Sequence, residues 1–333
     1  MTEAAGRKAL VTGSAGHLGE ALVRTLRRAG QPVVGLDIQA SPTTDIVGSV
    51  ADRDRVRAGM AGVGTVYHTA TLHKPHVVTH SMDDFIETNI RGTLILLEEA
   101  AAAGAEAFLF TSTTSVFGHA LRPPIDQPAA WITEDVKPIP KNIYGVTKTA
   151  AEDLCYLFYR QQNLPCLILR TSRFFPEEDD SKVMRDAYSG ENAKANEFLF
   201  RRVELEDVVG AHLAASERAA AIGFGRYIIS ATTPFRREDL RTLRTEAPAV
   251  LKRHHPEYEA IYQQLGWEMF SGIDRVYVND AARRDLGWQP KYDFARILKH
   301  LQAGEDPRSP ITREIGSKGY HSAVFEDGPY PVD

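Results

Sequence analysis

Thr12-Gly13-Ser14-Ala15-Gly16-His17-Leu18-Gly19 is the stretch whose reading decides the fold. It follows directly on the apolar run 9–11 and opens a helical pattern that continues through Ala29. Gly13 allows a tight turn. Gly16 lets the backbone approach a pyrophosphate, which rests on the unpaired N–H groups of a helix N-terminus. His17 and Leu18 belong to the same cofactor-binding turn, and Gly19 lets the helix pack closely on the strand. A plain strand-to-helix turn is the other reading of these glycines. Asp37 favours the dinucleotide reading, because it ends the next apolar run at the spacing where that fingerprint places an acid. A carboxylate there holds the adenosine ribose hydroxyls and repels a 2′-phosphate. Ile38 and Gln39 supply no cation to offset that repulsion, so NAD is expected rather than NADP.

Outward from the turn, short apolar runs alternate with helical patterns. Strands are expected at 9–11, 32–36, 44–47, 65–68, 107–111 and 166–169, with helices at 52–60, 82–103 and 144–161. Such alternation implies the α/β class, with a Rossmann-type, doubly wound parallel sheet. The Pro-rich stretch 118–142 reads as a long loop at the strand C-terminal edge, where these sheets bind ligands. After Arg173 the alternation stops. The reading there is an irregular polar segment at 174–198, a helix at 207–220 and a strand at 226–229. Further helices are expected near 238–244, 256–265, 280–286 and 294–301, and the tail 304–333 as extended chain. The expected division is an NAD-binding domain at 1–173 and a smaller substrate-binding lobe at 174–333, with part of 201–230 returning to the sheet.

The 333 residues carry a net charge of -5, which does not gather a phosphate backbone and argues against nucleic acid as a partner. No run approaches the ~20 apolar residues of a membrane helix. Residues 1–10 lack the apolar core of a secretory signal. Cys155 and Cys166 fit no metal spacing and read as small core hydrophobes of a reducing compartment. A soluble cytoplasmic enzyme is the expectation.

Tyr144 and Lys148 begin a helix and, four residues apart, share a face. A phenol has an ordinary pKa of about 10 and is a poor base at neutral pH. A nearby ammonium and the positive nicotinamide of the oxidised cofactor favour the phenolate and lower that value. The phenolate then takes the proton of an alcohol while a hydride leaves the same carbon. Just upstream, the strand 107–111 runs into Thr111-Ser112-Thr113-Thr114-Ser115, where a hydroxyl can stabilise charge developing on the substrate oxygen. Spacing alone does not choose which hydroxyl.

Together these residues resemble the extended short-chain dehydrogenase/reductase family, in its NAD-dependent sugar epimerase/dehydratase group, over residues 7 to 300. The likeness extends to His68-Thr69-Ala70-Thr71, Asn89-Ile90-Arg91-Gly92-Thr93, the segment 203–208 and the late turn Leu286-Gly287-Trp288-Gln289-Pro290. It implies catalytic roles for Thr113, Tyr144 and Lys148. It implies adenine contacts for Ser49 and Val50, and cofactor contacts for Thr69, Ala70, Thr71, His73, Asn89, Thr111, Tyr144 and Lys148. Thr113 and Thr114 are expected at the substrate. Ser49 stands where the family usually has Asp, and Arg173 where it commonly has Asn. Arg173 suits an anionic group of the substrate, or an ion pair with the acids at 177–180. The segment 173–201 is short for gripping a nucleotide, which suggests a smaller substrate. Thr114 and Ser115 replace the acidic pair with which the group's dehydratases drive elimination.

His73, His76 and His80 can be read as a metal or substrate cluster, or as loop and surface histidines. The second reading is preferred and no metal is expected. His254 and His255 read as a solvated turn. Three functions follow in order. The first is an NAD-dependent oxidoreductase acting on a secondary alcohol of a sugar-like or other small polar substrate. The second is a sugar or nucleotide-sugar epimerase without net redox change. The third is a non-catalytic dinucleotide-binding protein, against which the intact Tyr144 and Lys148 argue. Leu154, Tyr156, Leu157, Phe158 and Tyr159 circle more than one face of the helix 144–161. In the family such helices pair in a dimer, so a homodimer is expected; cover by the second lobe is the alternative.

Overall fold

The computed structural model describes residues 7–319 together with Ala323 and Phe325. The first half runs β1 (Lys8–Thr12), α1 (His17–Arg28), β2 (Val33–Asp37), β3 (Ile46–Val47), α2 (Arg53–Gly59) and β4 (Val63–His68). Then come α3 (Met82–Phe85), a π-turn (Ile86–Arg91), α4 (Gly92–Ala102), β5 (Ala107–Thr113), β6 (Ala130–Ile132), α5 (Ile143–Gln162) and β7 (Cys166–Thr171). The second half adds α6 (Lys182–Ala187), α7 (Gly190–Glu197), α8 (Leu205–Ile222), β8 (Phe224–Ile229), α9 (Leu240–Leu243), α10 (Ala247–His254) and α11 (Tyr258–Leu265). It ends with β9 (Arg275–Tyr277), α12 (Asp280–Leu286), α13 (Phe294–Gln302) and α14 (Pro310–Ile315).

Seven strands form one sheet in the order β3-β2-β1-β4-β5-β7-β8, the doubly wound arrangement expected. Ala9, Leu10 and Val11 have no exposed surface, as a parallel strand covered on both faces requires. The register pairs Thr12 with Leu36 and with His68, and His68 with Phe110. Gly13 and Thr69 therefore leave the sheet at the edge where Asp37 ends β2 and β5 runs on to Thr113, and β1 and β4 flank the point where strand order reverses.

Two compact units are present. The first comprises Met1–Val116, Asn142–Arg170 and Val209–Tyr227; the second comprises Phe117–Lys141, Thr171–Val208 and Ile228–Asp333. The division is interleaved: Phe117–Lys141 groups with the second unit and Val209–Tyr227 with the first. Leu10, Leu36, Val66, Leu96, Phe108 and Ile168 pack in the core of the first unit. Leu199, Phe200, Leu243, Leu251 and Phe294 pack in the core of the second. Each such side chain, fully buried, contributes about 1.5–3 kcal/mol. Among the described residues no helix is long and apolar enough to cross a membrane.

Four expectations are corrected. The helix expected at 82–103 forms, but a π-turn interrupts it at Ile86–Arg91. The loop 118–142 contains β6, which pairs in parallel with β9, Ala130 against Arg275. Three residues are too few to show alternation, and their partner is remote in sequence. The segment 174–198 holds two helices rather than irregular chain. The buried residues of α7 are Asn192, Ala193, Ala195, Asn196 and Glu197, whose larger side chains are all polar, so a clear apolar pattern was absent. Asn192 and Asn196 instead donate to the Glu268 carbonyl at 2.9 and 2.8 Å. The tail carries α14, capped by Ser309 and held by Glu204, which accepts from the Ser309 N–H at 2.9 Å. The rest of the tail beyond Gly319 lies outside the described residues, save Ala323 and Phe325.

Candidate active site

Gly13 has φ +69, and a Cβ there would lie 2.7 Å from the Ala70 nitrogen. A Cβ on Gly19 would lie 1.9 Å from the Gly13 carbonyl oxygen. Both positions require glycine for the turn itself. Gly16 differs: it is exposed, and a Cβ there would meet only the Gly13 oxygen, at 3.3 Å. Its outer side is open. No side chain caps α1 at its N-cap, Gly16, so the helix begins directly at the turn. This cradle fits a dinucleotide pyrophosphate. Asp37 is aimed at the same turn, accepting from the Ala15 N–H at 2.9 Å and the Gln39 N–H at 2.8 Å.

Ser49 turns inward on its own loop, its hydroxyl accepting from the Ala51 N–H at 3.1 Å. Val50 packs against Gly92, where a Cβ would come within 2.6 Å of it. The Thr69 hydroxyl donates to the Thr12 carbonyl at 2.7 Å, and the Ala70 N–H to the Thr12 hydroxyl at 3.3 Å. Asn89, on the π-turn, is a brace. Its Oδ1 accepts from the Thr71 hydroxyl and the Leu72 N–H, both at 2.9 Å. Its Nδ2 donates to the Leu72 carbonyl at 2.9 Å and to the Thr147 hydroxyl at 3.0 Å. All its hydrogen-bonding capacity goes to the loop after β4 and to α5, which leaves none for a direct cofactor contact.

His73, His76 and His80 stack edge to face, with ring centroids 4.6 and 5.2 Å apart. The His73 N–H donates to His76 Nδ1 at 3.0 Å and the His76 N–H returns a bond to the His73 side chain, so two of the three rings are engaged by backbone. Among the described residues no His, Cys, Asp and Glu group is arranged to hold a metal ion.

Thr111 does two things. Its hydroxyl meets His212 Nε2 at 2.8 Å, and its carbonyl accepts from Lys148 Nζ at 2.6 Å. Thr113 accepts from the Ser115 N–H at 3.1 Å and shares a hydrogen bond with the Tyr144 hydroxyl. Thr114 is buried and begins the 3-10 turn that follows β5. Asn142 caps α5, its Oδ1 accepting from the Gly145 N–H at 3.0 Å, and so fixes where Tyr144 starts on the helix.

The electrostatics differ from the expectation of a phenol loosened by a cation. Burial pushes Tyr144 up to about 12, opposed only by the Thr113 hydrogen bond. Burial also brings Lys148 down to about 7, opposed by Glu152 and Cys155. The lysine directs its amine to the Thr111 carbonyl and lies 4.0 Å above the Phe110 ring centroid. Desolvation is the largest influence on both groups.

Two residues near the site were given no role of their own by the sequence. His68 bridges the hydroxyls of Thr12 and Thr93 at 2.8 and 2.9 Å, and burial holds it neutral. Glu152, one turn beyond Lys148, accepts from Ser112 and Arg170. The i, i+4 spacing from Lys148 was the one clue to Glu152.

Arg173 belongs to the second unit. Its Nη1 lies 2.6 Å from Asp179, 3.3 Å from Asp180 and 3.5 Å from Glu197. Of its two expected roles, the ion pair is the one this geometry fits. The cluster borders a cavity of about 240 Å³ that Arg185, Lys194 and Arg202 also line. Burial works against the Glu197 charge, but Arg201, Arg173 and Arg202 together hold it down to about 2. His254 pairs with Asp239 at 2.8 Å and His255 with Glu257 at 3.2 Å, so each ring of the expected solvated turn is engaged by a carboxylate.

Known proteins match this arrangement. The model of the NAD dependent epimerase/dehydratase family matches residues 9–226. A UDP-glucose 4-epimerase of Rhizobium leguminosarum bv. trifolii is 31% identical over 343 residues, covering 89% of this chain and 96% of that one. The uncharacterized protein y4nG of Sinorhizobium fredii is 32% identical over 169 residues, 49% of this chain and 40% of that protein. A short-chain dehydrogenase/reductase superfamily protein from Agrobacterium tumefaciens, solved with bound NAD, has a TM-score of 0.63 at 22% identity. That likeness, covering 89% of this chain and 96% of the other, is one of fold. With two thirds of its length matched and its glycine cradle, Asp37, Tyr144 and Lys148 in place, the chain belongs to the NAD dependent epimerase/dehydratase family and is an NAD-dependent enzyme.

Proposed function

We propose that this enzyme moves a hydride between NAD and a secondary alcohol carbon of a sugar-like or other small polar substrate, with Tyr144 as acid and base. What supports this most is the hydrogen bond between the Tyr144 and Thr113 hydroxyls, beside a buried Lys148 tied to the Thr111 carbonyl. When bound, NAD supplies the hydride acceptor and donor. Gly13, Gly16, His17, Leu18 and Gly19 cradle its pyrophosphate, and Asp37 takes its ribose. Thr113 and Thr114 orient the substrate oxygen. Tyr144 takes the alcohol proton and returns it in the reverse direction. Burial keeps the phenol protonated in the free protein; a positive charge brought beside it favours the phenolate. Thr114 and Ser115 offer no acid for elimination, which supports hydride chemistry without dehydration.

Epimerisation is the second reading, and the Rhizobium leguminosarum epimerase favours it. It uses the same residues but returns the hydride to the opposite face. The purified enzyme, given NAD with a panel of aldoses, uronates, polyols and UDP-glucose, separates the two. Accumulating reduced nicotinamide identifies a dehydrogenase. Retained cofactor with an isomerised sugar identifies an epimerase, and neither outcome on any substrate removes the proposal.

The proposal includes a homodimer through α5, where Val146 is 49%, Tyr156 43% and Leu157 41% exposed. It also assigns NAD binding to the first unit. A cytoplasmic location is supported by the two free cysteines, Cys155 and Cys166.

A further inference from the structure

Helix α5 presents Tyr144, Lys148 and Glu152 one turn apart on a single face. Strand β5 ends in Thr111, Ser112 and Thr113, and each of these takes one of the three. Tyr144 meets the Thr113 hydroxyl, and Lys148 donates to the Thr111 carbonyl at 2.6 Å. Glu152 accepts from the Ser112 hydroxyl at 2.6 Å. The third tie is anchored from behind by two arginines. Arg170 of β7 donates to both Glu152 oxygens, through Nε at 3.1 and 3.3 Å and through Nη2 at 2.7 Å. Arg226 of β8 adds a contact at 3.3 Å. Glu152 and Arg170 are 1% and 3% exposed, so this pair is sealed from water.

We propose that Glu152 is a positioning residue: its grip on Ser112 fixes α5 against β5, so that Lys148 reaches the Thr111 carbonyl and Tyr144 the Thr113 hydroxyl. This rests on the proposed roles of Tyr144 and Lys148 in hydride transfer. A buried ion pair is by itself weak evidence of stabilisation. The geometry ties one carboxylate to the backbone segment that carries both partners of the candidate catalytic pair. Its charge also favours the ammonium of Lys148, against burial. The other groups around that amine are Cys155 on the same helix, the neutral His68 of β4, and the Thr111 carbonyl and Phe110 ring of β5.

Two variants and two readouts test the inference. Ser112→Ala removes the grip and leaves the Glu152–Arg170 pair whole, so the fold is retained. Its kcat is expected to fall on the order of tenfold or more, with NAD affinity and melting temperature near wild type. Glu152→Gln removes the charge at nearly constant shape. The Lys148 ammonium is then lost at lower pH, by about one unit. That shift is read directly by NMR titration of carbon-13-labelled lysine, assigned with Lys148→Met, and again as an alkaline limb of kcat/KM moved to lower pH. A Ser112→Ala enzyme within twofold of wild-type kcat overturns the proposal, as does an unmoved Lys148 titration in Glu152→Gln. Activity lost only in step with melting temperature marks a structural role and also overturns it. If Glu152→Gln does not fold, Ser112→Ala decides alone. The lysine titration needs no turnover. Failure of the active-site reading, seen as an unimpaired Tyr144→Phe enzyme, is therefore distinguishable from failure of this one.

Discussion

At the scale of single residues, the candidate chemistry depends on two buried groups moved in opposite senses. Tyr144 is raised to about 12 and Lys148 lowered to about 7, chiefly by burial in both cases. Tyr144→Phe keeps the ring and removes the proton carrier. Turnover is expected to fall on the order of 10²- to 10⁴-fold, while NAD affinity measured by calorimetry stays within a few-fold. Unchanged turnover would falsify the assignment of the base. Lys148 makes a second prediction, about stability. Its folded pKa of about 7 lies below its ordinary value of 10.5. Between those values the unfolded chain holds more protons than the folded one, so the lysine's penalty is full below pH 7 and fades as pH rises to 10.5. Lys148→Met should therefore raise the melting temperature most at pH 6 to 7 and least near pH 10. An equal gain at both ends contradicts burial of the ammonium as the cause.

At the scale of elements, the turn between β1 and α1 is the most constrained piece of backbone near the candidate site. Gly19→Ala places a methyl 1.9 Å from the Gly13 oxygen, a distance no small adjustment accommodates. The turn must open, which moves the N–H groups meant for the pyrophosphate. NAD affinity is expected to drop at least about tenfold, with a stability loss of about 1–3 kcal/mol. Gly16→Ala is the control, since its Cβ meets only one atom, at 3.3 Å. A Gly16 variant that loses as much stability as the Gly19 variant contradicts a clash confined to position 19. Helix α5 is fixed at its start by Asn142, one turn on at Thr147 by the Asn89 brace, and at Glu152 by two arginines. These ties hold the face that carries Tyr144 and Lys148.

At the scale of the whole molecule, the two units differ in their response to acid. Glu197, surrounded by Arg173, Arg201 and Arg202, is held at about 2 against its ordinary 4.5. Its contribution to the second unit is complete above pH 4.5 and is lost as pH falls toward 2. The three tryptophans, Trp131, Trp267 and Trp288, all belong to that unit. Tryptophan fluorescence should therefore report an acid transition in that window, and Glu197→Gln should weaken the unit at neutral pH while flattening the pH dependence. Asp207 acts in the opposite sense. Burial raises it to about 6, so its contribution declines as pH rises from 3.8. The homodimer belongs to this scale too. Leu157→Glu on the exposed face of α5 is expected to convert a dimer to monomer in mass measurements at low concentration, and a wild-type monomer rejects the interface.

The pattern of glycines, the acid at position 37 and the alternation of short apolar runs with helical ones determined the doubly wound sheet and the edge at which it binds. These are local signals: a turn, a spacing and a period, each legible within one βα unit. The i, i+4 spacing of Tyr144 and Lys148 likewise put both on one helix face. Only the tertiary structure decided that Lys148 reaches the Thr111 carbonyl, that Asn89 is saturated by Thr71, Leu72 and Thr147, and that Arg173 meets Asp179. Desolvation and long-range pairing set those outcomes. How dry an atom is, and which remote strand lies beside it, depend on every other element of the fold and leave no periodic trace in the chain.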